Sequence, residues 1–188
     1  MSVMSVPPPV EAALVGEAGV TDPATRLAGL FDTHADRLYR LARRLTANAE
    51  DARDLVQDTF VRAATRANSI PAGDAREEAW LVRVLINLQR DRWRRTAMRA
   101  RHDAANAPAP EANPGSDQES ALIARTTVWR ALERLSPRRR AILVLHELEG
   151  LDARAIASLL HITPITVRWH LSRGRRDLAS LVTATRGE

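Results

Sequence analysis

Hydrophobic side chains recur every three or four positions along most of the chain, which predicts amphipathic helices. One apolar stripe spans residues 27–45 and includes His34, which we expect to be packed or partly exposed rather than to bind a metal. A second helix follows Asn48, and a third covers about residues 75–100. The stretch 68–74 contains a proline and a glycine and separates the second helix from the third.

The C-terminal part of the chain predicts a helix over 121–135, a second over about 137–148, and then a helix-turn-helix. Asp152 is placed to cap a short helix, and after a three-residue turn Thr163 begins the last helix. His161 lies in this turn, at a position where glycine often supplies a positive φ. We therefore expect a slightly strained or differently shaped turn.

Strand-forming runs are scarce while Ala, Leu, Arg and Glu are abundant, so we expect an all-α protein. Residues 102–118 contain three prolines and acids at 103, 111 and 117, which is typical of a flexible linker between two small helical domains. The predicted divisions are a flexible N-terminal tail (1–24), a first domain (25–101), an acidic linker rich in proline and alanine (102–120), a second domain (121–183) and a C-terminal tail (184–188).

Several classes of function are excluded by composition. The chain has no cysteine, and its five histidines form no metal-spaced pair, so we expect no disulfide, no metal and no other cofactor. No phosphate-cradling glycine loop or nucleophile elbow occurs, and we expect that the protein is not an enzyme. The longest aliphatic run covers only residues 141–145, and the first twenty residues contain no basic side chain. These features predict a cytoplasmic protein without membrane insertion.

Positive charge is concentrated on the third predicted helix. All 28 basic residues of the chain are arginines, and they exceed the 23 acids to give a net charge of +5. The buried side of this helix is predicted to be Trp80, Leu81, Val84, Leu85 and Leu88. The opposite side carries Arg83, Asn87, Arg90 and Arg94. A solvated helix face is one interpretation, but arginine binds phosphates and asparagine reads base edges, so nucleic acid is favoured.

The last helix also presents a basic outer face. Val167, Leu171 and Gly174 fall on its apolar side, which directs Trp169 and several arginines outward. A plain helical hairpin is the alternative. The arginines favour duplex DNA, with the N-terminal residues of the helix on base edges in the major groove and its later arginines on phosphates.

Three blocks of this sequence resemble the bacterial sigma-70 family of RNA polymerase sigma factors, specifically its compact extracytoplasmic-function (ECF) group. The blocks are the stretch around DLVQDTF (54–60), WLVRVLINLQRDRWRR (80–95), and the helix-turn-helix region that begins ALERLSPRRR (131–140). The resemblance covers about residues 27–101 and 121–181. It implies a sigma-2 and a sigma-4 domain without sigma-3, and a protein that directs core RNA polymerase to promoters for transcription initiation.

The resemblance also implies partners and contact residues. Core polymerase (its β′ and β subunits) and promoter DNA are the expected partners, and many relatives also bind an anti-sigma factor. In the family, the segment matching DLVQDTF docks on a coiled coil of β′, which implies that Asp54, Gln57 and Asp58 bind core polymerase. Their acidic, polar helix face also favours a basic partner by itself. The minus-10 contacts that the resemblance implies are Arg83, Asn87, Arg90 and Arg94.

The last helix corresponds to the family's minus-35 reader. The implied contacts are Ile165, Thr166, Arg168, Trp169, Arg173, Arg175 and Arg176. The sequence departs from the family pattern where Trp169 and His170 replace small and basic residues, and where His161 replaces the usual glycine. These departures affect which minus-35 sequence is read rather than the mode of binding.

Two other hypotheses remain open at this point. The chain could be a stand-alone transcription regulator whose N-terminal half senses a signal or dimerises, in which case the acidic helix has no need to hold polymerase. It could also be an interaction protein of sigma-like fold without promoter activity.

Overall fold

The computed structural model describes residues 22–103 and 128–186, and these ranges contain helices and no strand. The elements are α1 (Pro23–Leu45), α2 (Ala49–Thr65), a 3-10 turn (Ala67–Ser69), α3 (Asp74–Asp103), α4 (128–134), α5 (Pro137–Leu143) continued by a π-helical segment (Val144–Leu148), α6 (Ala153–Leu160) and α7 (Pro164–Arg186). The all-α prediction is confirmed. Within the described ranges, no helix is long and apolar enough to cross a membrane.

Polar side chains fix where several helices begin, as the sequence predicts. Asn48 accepts a hydrogen bond from the Asp51 backbone N–H at 2.8 Å and so begins α2. Asp152 accepts one from the Ala155 N–H at 2.7 Å and begins α6. Each bond satisfies a backbone donor that has no partner inside the helix. Gly150, which follows the π-helical segment, has the left-handed φ of 70° that glycine adopts readily.

The helices form two groups that share one hydrophobic core. In the first half, α1, α2 and α3 pack together; in the second, α5, α6 and α7 do so. Contacts of α3 with α5 and α6, and of α1 with α5, join the two halves. Buried leucines from both halves, such as Leu85 and Leu145, belong to the same cluster. His34 is buried within the first half, so of the two environments expected for it, packed or partly exposed, it has the packed one.

Arg140 forms a buried polar connection between the halves. Its side chain is only 8% exposed, and it donates from Nη1 to the Leu45 carbonyl at 2.7 Å and from Nε to the Leu132 carbonyl at 2.7 Å. Its Nη2 also donates to the Glu133 carbonyl. Burial lowers the pKa of this guanidinium, and the Glu133 charge opposes that shift. The end of α1 is thereby tied to α4 and α5.

Some sequence-based expectations require correction. On α3 the fully buried set is Leu81, Val82, Leu85 and Ile86. Trp80, Val84 and Leu88 are only half-buried, because the second half packs on the side of α3 that carries Val82 and Arg83 and so shifts the buried face in that direction. The helix predicted over 137–148 changes to π-helical hydrogen bonding after Leu143.

The predicted bounds of both tails differ from the helix bounds in the structure, and most of the predicted linker is not described by it. Helix α7 continues to Arg186, which places three residues of the predicted C-terminal tail (184–188) in a helix. Helix α1 begins at Pro23, inside the predicted N-terminal tail. The rest of that tail, and the predicted linker apart from its first two residues, lie outside the described residues.

Candidate nucleic-acid interface

The arginine and asparagine face of α3 is partly open to solvent. Asn87 and Arg94 are exposed, and they lie on the same side of the helix because residues seven positions apart nearly complete two turns. Arg90 is half-buried, and its guanidinium bonds to the neighbouring Asp91 carboxylate at 3.2 and 3.3 Å. Asn87 and Arg94 are therefore the members of this face that stand furthest into solvent.

Arg83, the fourth member of the α3 face, contacts the other half of the protein. Its Nε donates to the Leu159 carbonyl on α6 at 2.6 Å, and burial lowers the pKa of its guanidinium. The two halves enclose a cavity of about 440 Å³ beside it, lined mostly by apolar side chains such as Val82 and Leu145. Sequence reasoning missed this contact because its partner lies 76 positions away along the chain.

A second group of arginines lies on the opposite side of α3. Arg92, Arg95 and Arg99 line a cavity of about 620 Å³ together with Trp93. Arg92 forms an ion pair with Asp58 of α2 at 2.6 Å. The sequence shows these arginines as a general accumulation of charge, and the structure separates them from the face that carries Asn87.

The acidic face of α2 is exposed at all three of its predicted members, Asp54, Gln57 and Asp58. An apolar groove of about 550 Å³ adjoins it, with Gln57 in its lining. Two residues of the groove, Phe31 and Val61, are more than half exposed. The apolar stripe predicted over residues 27–45 includes Phe31, which would place its side chain on the packed side of α1. The structure instead places its ring 4.9 Å from that of Phe60, at the edge of the core.

The turn of the helix-turn-helix depends on a left-handed histidine. His161 has φ 51° and ψ 51°, in agreement with the sequence-based expectation of a strained turn. Its conformation lets the Ile162 N–H reach back to the Ala157 carbonyl at 3.0 Å, which closes the end of α6. Thr163 Oγ1 then accepts from the Thr166 N–H at 3.1 Å and caps α7. The bend between α6 and α7 is thus fixed by local hydrogen bonds.

The N-terminal half of α7 presents large side chains to solvent. Ile165 is 71% exposed and Trp169 is 54% exposed, and Arg168 is also exposed between them. Thr166 is half-buried, with its hydroxyl 2.8 Å from that of Thr163. Of the predicted minus-35 residues in this half, Thr166 is therefore the one engaged in the helix cap.

The later arginines of α7 are engaged within the protein. Arg173 pairs with Asp177 at 3.4 Å, and Arg175 bonds to Glu147 of the π-helical segment at 2.6 and 2.9 Å. Arg176 donates to the Ser172 carbonyl at 3.4 Å. All three arginines nevertheless remain exposed at the surface.

Arg139 of α5 supports the exposed indole of α7. Its guanidinium carbon lies 5.8 Å from the centre of the Trp169 ring, and its Nη1 is 2.9 Å from the Asp177 carboxylate. The adjacent His170 has its pKa lowered by burial and then by the charges of Arg138 and Arg139. Sequence analysis noted the unusual Trp169 and His170 but could not identify this support, because Arg139 belongs to a different helix.

Helix α7 can pack closely on α5 because Gly174 has no side chain. A Cβ atom at this position would lie 2.9 Å from Leu143 Cδ1.

Within the described ranges, the acidic, histidine and cysteine side chains form no group of three that could hold a metal ion.

Family models match both halves of the chain. The Sigma-70 region 2 model matches residues 30–99, and the Sigma-70 region 4 model matches residues 125–178. ECF RNA polymerase sigma factor SigE of Mycolicibacterium smegmatis is 37% identical over 79% of this chain and 58% of its own length. SigM of Mycobacterium tuberculosis, also an ECF sigma factor, is 33% identical over 81% of this chain and 75% of its own length.

Solved structures share the fold. The sigma factor RpoE of Bartonella quintana, in complex with the anti-sigma factor NepR, gives a TM-score of 0.58 at 22% identity over 84% of this chain and 97% of that one. CnrH, in complex with the cytosolic domain of CnrY, gives a TM-score of 0.56 at 24% identity, and the match covers 87% of this chain and 91% of CnrH. Because both family models and the ECF relatives match it, this chain belongs to the sigma-70 family, in its ECF group. The function of that family is promoter recognition and transcription initiation with RNA polymerase.

Proposed function

We propose that this chain is a promoter-specificity subunit that brings core RNA polymerase to a defined set of promoters. It works in the cytoplasm beside the polymerase, and the polymerase carries out the chemistry, so this chain itself is not an enzyme. The observation that carries the proposal is the presence of three different surfaces in one chain. They are the acidic face of α2, the arginine and asparagine face of α3, and the exposed face of α7 in a helix-turn-helix.

The α2 surface is proposed to bind core polymerase through its β′ subunit. Asp54, Gln57 and Asp58 offer negative and polar groups to a basic partner. The neighbouring groove around Phe31 and Val61 adds exposed apolar area to the same contact. In such an arrangement, the acidic patch speeds association with a basic partner, and burial of apolar surface in the groove stabilises the complex.

The α3 surface is proposed to hold the melted strand of the minus-10 element. Opening DNA costs roughly 1.4 kcal/mol of stacking per base step. Contacts from Arg90 and Arg94 to phosphates, and from the Asn87 amide to an unstacked base, offset part of that cost. Arg83 joins this surface when it leaves the Leu159 carbonyl.

The α7 surface is proposed to read the minus-35 duplex from the major groove. The exposed N-terminal residues of the helix face base edges, and its later arginines contact phosphates. The proposed base or phosphate contacts are Ile165, Thr166, Arg168, Trp169, Arg173, Arg175 and Arg176.

Contact with both elements at once requires the two halves to separate. Elements about 25 base pairs apart lie roughly 85 Å apart along B-DNA. A packed chain of this length has a radius of gyration of only about 16 Å. Residues 104–127, which connect the halves, can span up to about 80 Å when extended. We therefore retain the sequence-based division into a sigma-2 domain (25–101), a linker (102–120) and a sigma-4 domain (121–183).

An anti-sigma factor is a further proposed partner, by extension from the Bartonella quintana protein that was solved with NepR. It would compete with polymerase for the α2 surface or with DNA for the α7 surface.

The decisive experiment is transcription by purified core polymerase on fragmented genomic DNA, with and without this protein, with sequencing of the RNA 5′ ends. We expect new discrete start sites that share two spaced upstream elements.

A double variant, Asp54→Arg with Asp58→Arg, is expected to lose polymerase binding. Asp32→Arg, at an exposed acid of α1, is the matched control and should retain it. Intact polymerase binding by the double variant would favour the stand-alone regulator, and core binding without new starts would favour the inactive sigma-like protein.

A further inference from the structure

Two large apolar side chains stand exposed on successive turns of α7. Ile165 and Trp169 are four residues apart, so they lie on the same side of the helix about 6 Å apart along its axis. They are 71% and 54% exposed, whereas Val167 and Leu171 on the opposite side are buried. Apolar area of this size is costly to leave in water, and its position on the N-terminal half of a recognition helix indicates a contact.

The surroundings of this pair indicate that the contact is duplex DNA. Arg168 lies between the two residues, and Arg173, Arg175 and Arg176 follow on the same helix. Such a setting matches a phosphate-lined groove, because the arginines approach the backbone while the apolar side chains approach the bases. The principal apolar group that a base pair offers in the major groove is the 5-methyl of thymine.

The Trp169 ring contacts two neighbouring side chains, those of Arg139 and His170. The Arg139 guanidinium lies over the ring at 5.8 Å, and the Asp177 carboxylate holds that guanidinium at 2.9 Å. His170 packs edge-on to the same ring, with ring centres 4.9 Å apart. With one face covered by a restrained cation, the indole loses less rotational freedom when it binds. Arg139 is therefore a positioning residue for Trp169.

We propose that Ile165 and Trp169 form an apolar edge that selects thymine methyl groups in the minus-35 element, and that Arg139 sets the position of this edge. The inference rests on the proposed minus-35 role of α7. It explains why this recognition helix carries an aromatic side chain where small or basic residues are more usual in the family.

The test replaces individual thymines of the minus-35 region by deoxyuridine, which removes only the methyl group. Promoters mapped by the start-site experiment supply the duplexes, and the probe is the holoenzyme assembled from core polymerase and the full chain. We expect roughly fourfold weaker binding for each methyl that is read, from the free energy of burying one methyl-sized group. The same replacement outside the two elements is the DNA control.

Variants then assign the effect to this edge. Trp169→Ala and Ile165→Ala are expected to reduce the thymine-to-deoxyuridine binding ratio to about one at the position each residue reads. Trp169→Phe should keep part of the thymine-to-deoxyuridine binding ratio. Because it preserves an aromatic side chain, it shows whether the effect of Trp169→Ala comes from lost contact rather than from misfolding. Thr183→Ala, at an exposed site near the end of α7, is the protein control and should keep the full ratio.

Arg139 is tested by the same ratio. Arg139→Met should lower the thymine-to-deoxyuridine ratio, and Arg139→Lys should restore part of it, because lysine can still place a cation over the ring. A purely structural role for Arg139 would reduce binding to both duplexes equally, and that result would overturn its positioning role.

The outcomes separate this inference from the proposed function. If no new start sites appear, the proposed function itself fails. If start sites appear but deoxyuridine has no effect at any minus-35 position, the inference fails while the function stands. A deoxyuridine effect that persists in Trp169→Ala and Ile165→Ala would also overturn it. The inference is also overturned if Trp169→Ala and Ile165→Ala bind DNA normally but fail to bind a protein partner, because the apolar edge would then be a protein contact.

Discussion

The two helices proposed to contact DNA present their side chains in different ways. On α7 the face with Ile165 and Trp169 points into solvent, and its shape is set by neighbours within the same half, such as Arg139. On α3 the corresponding face is partly occupied by the other half, because the α6 carbonyl of Leu159 accepts from Arg83. The surface proposed to read duplex is thus complete within one half of the protein. The surface proposed to hold a single strand depends on how the two halves are arranged.

The contact between halves is mainly polar at its edges. Glu149 pairs with Arg44 and, at 3.9 Å, with Arg37 of α1, and the buried Arg140 bonds to the end of the same helix. Ion pairs at partly exposed positions contribute little individually and weaken as salt rises. The same interface buries leucines of both halves in one shared cluster, so separation of the halves exposes apolar area that binding to DNA and polymerase has to compensate.

The largest expected effect is at Arg140. Arg140→Ala removes a buried donor to three backbone carbonyls, of which only that of Leu45 lies across the interface, and should lower the free energy of unfolding by about 3 kcal/mol. Urea unfolding followed by circular dichroism measures this change. Arg134→Ala, at an exposed arginine of the neighbouring helix, is the control and should change stability little. Equal stability of the two variants would show that the interface does not need Arg140.

Arg168 tests whether the α7 face reads bases. Arg168→Ala should weaken binding to the cognate minus-35 duplex by about 1 to 3 kcal/mol and relax preference at one base pair. Competition binding against a library of minus-35 variants measures both effects. A uniform loss across all sequences would identify Arg168 as a phosphate contact instead.

Asn87 tests whether the α3 face holds a melted strand. Asn87→Ala should slow promoter opening by roughly tenfold, because about one hydrogen bond to an unstacked base is lost. Binding to closed duplex should change much less. Permanganate reactivity of unpaired thymines reports opening, and gel shift on closed promoter DNA reports binding. Equal losses in both measurements would contradict this role.

A matched pair of glycine substitutions compares packing in the two halves. Gly29→Ala in α1 should stabilise the protein by about 0.5 to 1 kcal/mol, since no atom lies within 4 Å of the new Cβ and alanine favours a helix. Gly174→Ala should instead destabilise by about 1 kcal/mol, because its Cβ would overlap the buried Leu143. Thermal unfolding of both variants gives the comparison. A gain at Gly174 would mean that α5 and α7 can move apart at little cost.

The smallest expected effect is a pH dependence due to His170. Burial, and then the charges of Arg138 and Arg139, lower its pKa below the ordinary value of 6.5. As pH falls below that value, the unfolded chain takes up a proton before the folded protein does, so this contribution to stability falls with pH. The free energy of unfolding at about pH 7.5 and about pH 5.5 should therefore differ less in His170→Gln than in wild type. The same slope in both proteins would contradict the prediction.

The sequence alone was sufficient to predict the helices and most of their boundaries. Apolar periodicity and caps such as Asn48 and Asp152 act over about four residues, so they can be read from neighbouring positions. A slightly strained or differently shaped turn at His161 was expected because histidine stands where glycine often supplies a positive φ, and the structure shows the left-handed form. The family blocks also indicated which helix faces to examine, and the roles of individual residues on those faces remain predictions.

Only the tertiary structure decided which of those faces are open. The bond between Arg83 and Leu159 joins positions 76 apart, and that between Arg140 and Leu45 joins positions 95 apart. The support of Trp169 by Arg139 likewise links two helices. Neither periodicity nor capping specifies such pairs, because they arise from how whole helices pack once each has formed. The sequence determined the helices and the candidate surfaces, and packing between helices determined which side chains of those surfaces are free to bind.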